Sequence, residues 1–193
     1  MGDSVEQICK RAQAGCRESA TALLGSFYAQ IFAYLRRISG DSEEAADLTQ
    51  KTFAKAWAAL PSYQARSRFS TWLHAIAHHV YVDWRRQRKP GTSQTDEWWA
   101  AQSAPISTPF EDAAERDLAL RLYALVERLE EEARQVLHLH YYQELSIAET
   151  AEVLGVSGST VKYRLRAALE QLRSRMGDPS DCLPDGKSQP TRL

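Results

Sequence analysis

Helical periodicity runs through this 193-residue chain and breaks at length once, at residues 91–110, "GTSQTDEWWAAQSAPISTPF". Gly, Ser, Thr, Pro and Asp dominate that stretch, and no apolar repeat of either helical or strand spacing crosses it. A chain of this pattern cannot close around one continuous core. It is expected to be all-α: two small helical domains joined by a flexible linker, the C-terminal one a helix-turn-helix. The expected divisions are 1–90 for the first domain, 91–115 for the linker, 116–176 for the second domain and 177–193 for a Pro/Gly/Asp-rich tail. Length and a hydrophobic fraction of 44% suit folded modules of this size.

Local signals punctuate the helices. Ser4 to Gln7, "SVEQ", offers a capping box. Leu23, Leu24, Phe27, Ile31, Tyr34, Leu35 and Ile38 follow helical spacing up to Gly40. Asp41 and Glu44 can cap a next helix that turns Leu48, Phe53, Ala56, Trp57 and Leu60 inward and stops at Pro61. "TPFE" at Thr108 to Glu111 combines a Thr cap, Pro at the first helical position and Glu three residues on, a helix start. For Trp98 and Trp99 two roles stay open, packing on a neighbouring domain or anchoring a partner protein.

Composition excludes several classes. No apolar run reaches the length of a membrane span, and the first residues lack an apolar signal core. Cys9, Cys16 and Cys182 are odd in number, scattered and without a C-x-x-C pair, so reduced thiols in the cytoplasm are expected. Net charge is −1, yet residues 1–90 hold 13 Lys/Arg against 8 Asp/Glu, and residues 91–117 hold 1 against 6. DNA affinity rests largely on phosphate neutralisation. A chain this close to neutral, with only local basic patches, is expected to bind DNA weakly alone and to need a larger partner.

In the second domain, "SIAETAEVLGVSGSTVKYRLRAALEQL" reads as two helices around a glycine turn. Ser146 and Glu149 form a capping box, Ile147, Ala151 and Leu154 an inner face, and Gly155 the stop. Ser157 caps the next helix, whose stripe is Val161, Leu165, Ala168 and Leu172. That leaves Ser159, Thr160, Lys162, Tyr163, Arg164 and Arg166 outward near its start. A tight turn followed by a helix rich in donors describes a helix-turn-helix, and Arg or Lys there can reach guanine edges or phosphates. A helical hairpin with a merely solvated basic face has the same charge, but not the cap, turn and stripe together.

In the first domain, "FSTWLHAIAHHVYVDWRRQRKP" is expected to be helical from about Thr71 to Arg88. Leu73, Ala77, Val80 and Trp84 form its buried face. His74, His78, Tyr81, Arg85 and Arg88 form a second stripe, and Trp72, Ala75, His79, Asp83 and Arg86 a flanking face, so that rings and cations share the exposed surface. Unstacked bases are held this way, each stack worth about 1–3 kcal/mol. The preceding loop adds Tyr63, Arg66, Ser67, Arg68, Phe69, Ser70 and Thr71 and could receive an extruded base. His74 and His78 stand at i and i+4, but "HAIAH" lacks the Glu of H-E-x-x-H and no supporting ligand is spaced nearby. His138 and His140 point to opposite sides of their helix. No acid/base pair, phosphate-cradling loop, metal set or cofactor motif is legible, and no enzymatic role or small-molecule substrate is expected.

"DLTQKTFAKAW", "FSTWLHAIAHHVYVDWRRQRK" and "LSIAETAEVLGVSGSTVKYRLRAAL", in that order, resemble regions two and four of bacterial RNA polymerase sigma factors of the extracytoplasmic-function type, over roughly residues 20–90 and 115–176. The resemblance implies a factor that binds core RNA polymerase and directs it to promoter DNA. Asp47, Leu48, Gln50 and Phe53 would dock on the clamp coiled coil of the largest polymerase subunit. Tyr63, Arg66, Ser67, Phe69, Ser70, Thr71, Trp72, His78, His79 and Arg86 would open and read the minus-ten element. Ser157, Ser159, Thr160, Lys162, Tyr163, Arg164 and Arg166 would read the minus-thirty-five element. The acidic linker would thread through the polymerase, and an anti-sigma protein, often membrane-bound in the family, would hold the factor inactive. His79 stands where Asn is common, Tyr163 where a small residue is common and Ala167 where Arg is frequent. A stand-alone helix-turn-helix regulator with a ligand- or metal-sensing first domain is the alternative, and a metal-dependent nuclease using His74, His78 and Asp83 a third reading.

Overall fold

Side-chain caps and left-handed turns set the boundaries of the helices. The computed structural model describes residues 5–87 and 121–176, and every regular element among them is helical. The linker with Trp98 and Trp99, the "TPFE" helix start, the tail, Arg88 and the Ser4 of the first capping box lie outside the described residues.

The first module comprises α1 (Val5–Gln13), α2 (Arg17–Ser26), α3 (Tyr28–Ser39), α4 (Ser42–Ala59) and α5 (Phe69–Gln87), with a 3₁₀ turn at Leu60–Ser62. The apolar run from Leu23 to Ile38 is two helices rather than one. The chain breaks at Phe27, whose amide bonds back to Leu24, and the Ser26 hydroxyl donates to the Leu23 carbonyl at 2.7 Å. This turn lets the Phe27 ring meet Phe69, centroids 5.4 Å apart. Gly40, at φ 74°, closes α3 in a conformation costly for other residues. Asp41 Oδ1 then accepts from the amides of Glu43 and Glu44 at 2.7 and 3.0 Å and starts α4. Pro61 sits in the 3₁₀ turn that ends it.

Leu23, Ile31, Tyr34, Leu35, Leu48 and Leu73 are almost wholly buried at the centre of this module. Each such burial contributes up to about 1.5–3 kcal/mol. Trp57 does not join them: expected inward, it is 41% exposed. Trp84 is half-buried, and its indole N–H donates to Glu44 Oε2 at 2.8 Å.

The second module holds α6 (described over 121–127), α7 (Glu131–Leu137), a π-helical turn at His138–Tyr142, α8 (Ile147–Leu154) and α9 (Gly158–Met176). The capping box at α8 is formed: the Glu149 amide donates to Ser146 Oγ, and the Ser146 amide to Glu149 Oε2. Gly155, at φ 64°, ends α8. Val161, Leu165, Ala168 and Leu172 lie in the core, as their spacing predicts, and Val136 of α7 joins them.

The two modules pack on each other, α8 lying against α5. Leu139, Leu145 and Val153 of the second module are buried in the core of the first. Helix α8 therefore has two apolar faces, one on α9 and one on α5.

Candidate nucleic-acid and polymerase interfaces

Loop 63–68 connects the 3₁₀ turn to α5 and is organised by three rings. Tyr63 meets Phe69 edge-on at 5.5 Å and Trp72 at 5.0 Å, and Phe69 meets Trp72 at 5.2 Å. The Tyr63 hydroxyl donates to the Ser67 carbonyl at 2.6 Å, folding the loop over its own aromatic residue, and partial burial pushes that hydroxyl's pKa up. Ala65 at the tip takes φ 52°, a left-handed conformation unfavourable for a residue with a Cβ. The loop is thus held in shape by contacts at its base. Arg66 and Arg68 are exposed beside it.

Of the residues expected to handle the minus-ten element, Arg66, His79 and Arg86 are exposed, and Tyr63, Ser67, Ser70 and Trp72 are half-exposed around the loop. Three are not on the surface. Phe69 is buried as the floor of the ring cluster. Thr71 is fully buried and donates to Glu149 Oε1 at 3.2 Å. His78 is buried and shares a 3.0 Å hydrogen bond with the Tyr34 hydroxyl. Desolvation, with His79 adding to it, pushes the His78 pKa down to about 4, so the ring is neutral and holds no phosphate.

The expected exposed stripe of α5 is corrected accordingly. His74, His78 and Tyr81 are 1%, 8% and 3% exposed. His74 Nδ1 bonds the Ser70 carbonyl at 2.8 Å. Among the described residues no group of three His, Cys, Asp or Glu side chains is arranged to hold a metal.

On α4, Asp47 and Gln50 are exposed, Phe53 is half-buried and Leu48 lies in the core. Leu48 therefore positions the helix and does not contribute to its outer face. Asp47 pairs with Lys51 one turn on. Sequence reasoning missed the rings beside them. Tyr28, 49% exposed, stacks on Phe32 at 6.3 Å and on Phe53 at 5.8 Å, and Trp57 continues the strip along α4. An exposed aromatic strip flanked by polar residues is the usual composition of a protein-docking face.

At the start of α9, Ser157 Oγ accepts from the Thr160 amide at 3.1 Å and lies 2.8 Å from the hydroxyls of Ser159 and Thr160. Lys162, Tyr163 and Arg166 are exposed, Tyr163 at 73%. Arg164 instead leans back to Glu132 at 3.0 Å and is largely covered.

Polar contacts tie the modules together beyond the apolar packing. Glu131 accepts from the Tyr81 hydroxyl at 2.8 Å and pairs with Arg85. Glu149 accepts from Thr71 and lies 3.5 Å from Arg68. Arg37 of α3, nearly buried, pairs with Glu127 at 3.0 Å and lies over the Tyr123 ring at 4.2 Å. His138 stacks on Tyr34 at 5.7 Å and on Tyr142 at 5.2 Å. His140, on the other side of the turn, bonds the Leu145 carbonyl through Nδ1 at 2.7 Å. Glu131 and Glu149 were not legible as site residues; only Glu149's capping role has a sequence signature.

The geometry defines a class: a helical module with an aromatic-braced basic loop, joined to a helix-turn-helix. Two family models match the chain, Sigma-70 region 2 over residues 23–90 and Sigma-70, region 4 over residues 119–172. RNA polymerase sigma factor YlaC of Bacillus subtilis (strain 168) is 33% identical over 161 residues, covering 83% of this chain and 93% of the relative. ECF RNA polymerase sigma factor SigW of the same organism is 25% identical over 182 residues, covering 90% and 97%. Among solved structures, CnrH in complex with the cytosolic domain of CnrY shares the fold with a TM-score of 0.65 at 23% identity, over 90% of this chain and 97% of that one. The sigma factor RpoE in complex with the anti-sigma factor NepR from Bartonella quintana does so at 0.58 and 21%, over 81% and 94%.

The chain belongs to the sigma factors of bacterial RNA polymerase, of the ECF type. Its class is that of transcription initiation factors, and that membership takes the place of the stand-alone-regulator reading. No helix among the described residues is long and apolar enough to cross a membrane.

Proposed function

We propose that this factor works in the cytoplasm and docks on core polymerase through the outer face of α3 and α4, with Asp47, Gln50, Phe53, Tyr28 and Trp57 in the contact. The loop from Tyr63 to Ser70 then captures an unstacked base of the minus-ten element, Arg66 and Arg86 hold phosphates, and Trp72 supports the rings. Lys162, Tyr163 and Arg166 at the head of α9 read the minus-thirty-five element. The observation that most supports this reading is the ring-braced loop carrying exposed Arg66 and Arg68 at the head of α5.

The two promoter elements are separated by about two dozen base pairs, roughly 80 Å of duplex at 3.4 Å per pair. Helices α5 and α8 are in contact, so the modules separate before both elements are bound at once. Polymerase docking supplies the energy for that separation. An anti-sigma protein, the kind of partner named for the Bartonella structure, would keep the factor off the polymerase by covering the same faces; its anchoring in a membrane is the family's common arrangement.

The test is transcription from the reconstituted holoenzyme. Trp72→Ala should impair strand opening more than closed-complex formation, and equal losses at both steps would remove the melting role. Lys162→Ala should weaken minus-thirty-five binding by about 1–3 kcal/mol if a base contact is lost. An unchanged promoter affinity would take Lys162 out of the reading set.

A further inference from the structure

Helix α1 lies ahead of the residues that the region 2 model matches, which begin at residue 23. It nonetheless forms one side of a cavity of about 830 Å³ whose other side is the loop. Val5, Glu6, Cys9, Lys10 and Gln13 line it from α1, and Phe27 with loop residues 63–70 line it opposite. The volume suits a small organic ligand, and the lining combines apolar rings with cations at the rim.

Gln13, the last residue of α1, reaches across. Its amide Nε2 donates to the Tyr63 carbonyl, with the Leu60 carbonyl 3.5 Å away. Tyr63 is the residue around which the loop closes, through its hydroxyl on Ser67 and its ring on Phe69 and Trp72. Gln13 therefore fixes the backbone at the entrance of a loop whose tip, Ala65, sits in a left-handed conformation that needs outside support.

We infer that α1 is the second wall of the base-receiving cavity and that Gln13 is a positioning residue, holding the loop open to an extruded nucleobase. This rests on the reading of the loop as a base receptor given above. Gln13 touches the loop backbone and acts on the base only through it. Lys10, exposed on the same wall, is placed to meet a phosphate next to that base.

The experiment measures open-complex lifetime with holoenzyme made from the full chain and core polymerase. Promoters are intact or carry one abasic site at a time across the non-template strand of the minus-ten element. With the unaltered factor, one abasic position should shorten the lifetime by about five- to 150-fold, the loss of one base stack. Gln13→Ala, and Gln13→Met, which keeps helix and bulk but loses the donor, should shorten it on the intact promoter. On the template abasic at the sensitive position, both should change it less than about twofold, because a positioning residue has nothing left to position. Equal penalties on intact and abasic templates, or no penalty on the intact one, overturn the role of α1 and leave the loop's role standing. If no abasic position affects the unaltered factor, the base-receptor reading itself fails, and this inference with it.

Discussion

Replacing Glu131 by Ala should shift the balance between packed and separated modules toward separation by about ten- to 150-fold. The magnitude comes from two cross-module contacts of unequal weight, since the third, from Gln135 Nε2 at 2.9 Å, lies within α7 and is kept whether or not the modules part. The pair with Arg85 lies at the rim, since Arg85 is 59% exposed, and water screens it to less than about 1 kcal/mol. The Tyr81 hydroxyl is different: Tyr81 is 3% exposed and donates to the Glu131 carboxylate at 2.8 Å. A hydrogen bond to a charged acceptor is worth about 1.5–3 kcal/mol, and removing the acceptor leaves a buried donor unpaired unless the modules part. Energy transfer between dyes on Ala54→Cys and Gln171→Cys, with the three native cysteines replaced by Ala, reads the separation. A cycle with Tyr81→Phe isolates the pair, and its coupling should be about 1.5–3 kcal/mol. Separation is not expected to be complete, because Leu139, Leu145 and Val153 remain in the first module's core. Unchanged transfer in Glu131→Ala, or coupling below about 0.5 kcal/mol, would refute the assignment of this contact as a clasp.

Three further outcomes follow from the same coordinates. Acid should separate the modules through His138, whose pKa burial pushes down to about 3, with Arg37 of α3 and His74 of α5 adding to the effect. The separated form takes up a proton below about 6.5 that the packed form refuses, so packing is intact above that pH and weakens as pH falls toward 3. The loss at pH 5 is about 2 kcal/mol, and a transfer signal flat from pH 7.5 to 5 would contradict it. Trp57→Ala should lower core-polymerase affinity by at least about 30-fold while leaving thermal unfolding unchanged, which a binding titration and a melting curve decide together. Asp41→Ala should destabilise the first module by about 1 kcal/mol, because two α4 amides lose their acceptor; chemical denaturation checks it.

Much of this fold was legible residue by residue. Gly40, Asp41, Pro61, Ser146 with Glu149, and Gly155 mark helix ends because each does so by local chemistry that no tertiary context alters. The stripe from Val161 to Leu172 was legible because a single face of α9 is buried. Helix α5 misled for the opposite reason. Elements of both modules cover it, so His74, His78 and Tyr81, polar enough to suggest solvent, are buried, the two histidines against Tyr34 of α3 and Tyr81 with its hydroxyl on Glu131 of α7. Periodicity finds a second face but cannot say whether water or another module lies over it. Val153 of α8 escaped notice on the same ground. At the proposed binding faces, the exposure of Arg66 and Lys162 was legible by type and position. That of Tyr28 and Trp57 was not, because a ring at helical spacing reads as core until the neighbouring helix is seen to leave it uncovered.

Glu149 serves two unrelated masters. One carboxylate both winds the first turn of α8, through Ser146, and accepts from Thr71 on α5. Folding of the DNA-reading unit and its storage against its sister are therefore not separately adjustable at this position: a substitution meant to release the reader would also fray its scaffold. Variation that tunes how readily the factor is mobilised should fall instead on residues whose polar contact only bridges the modules, such as Arg85, which pairs with Glu131 across the seam.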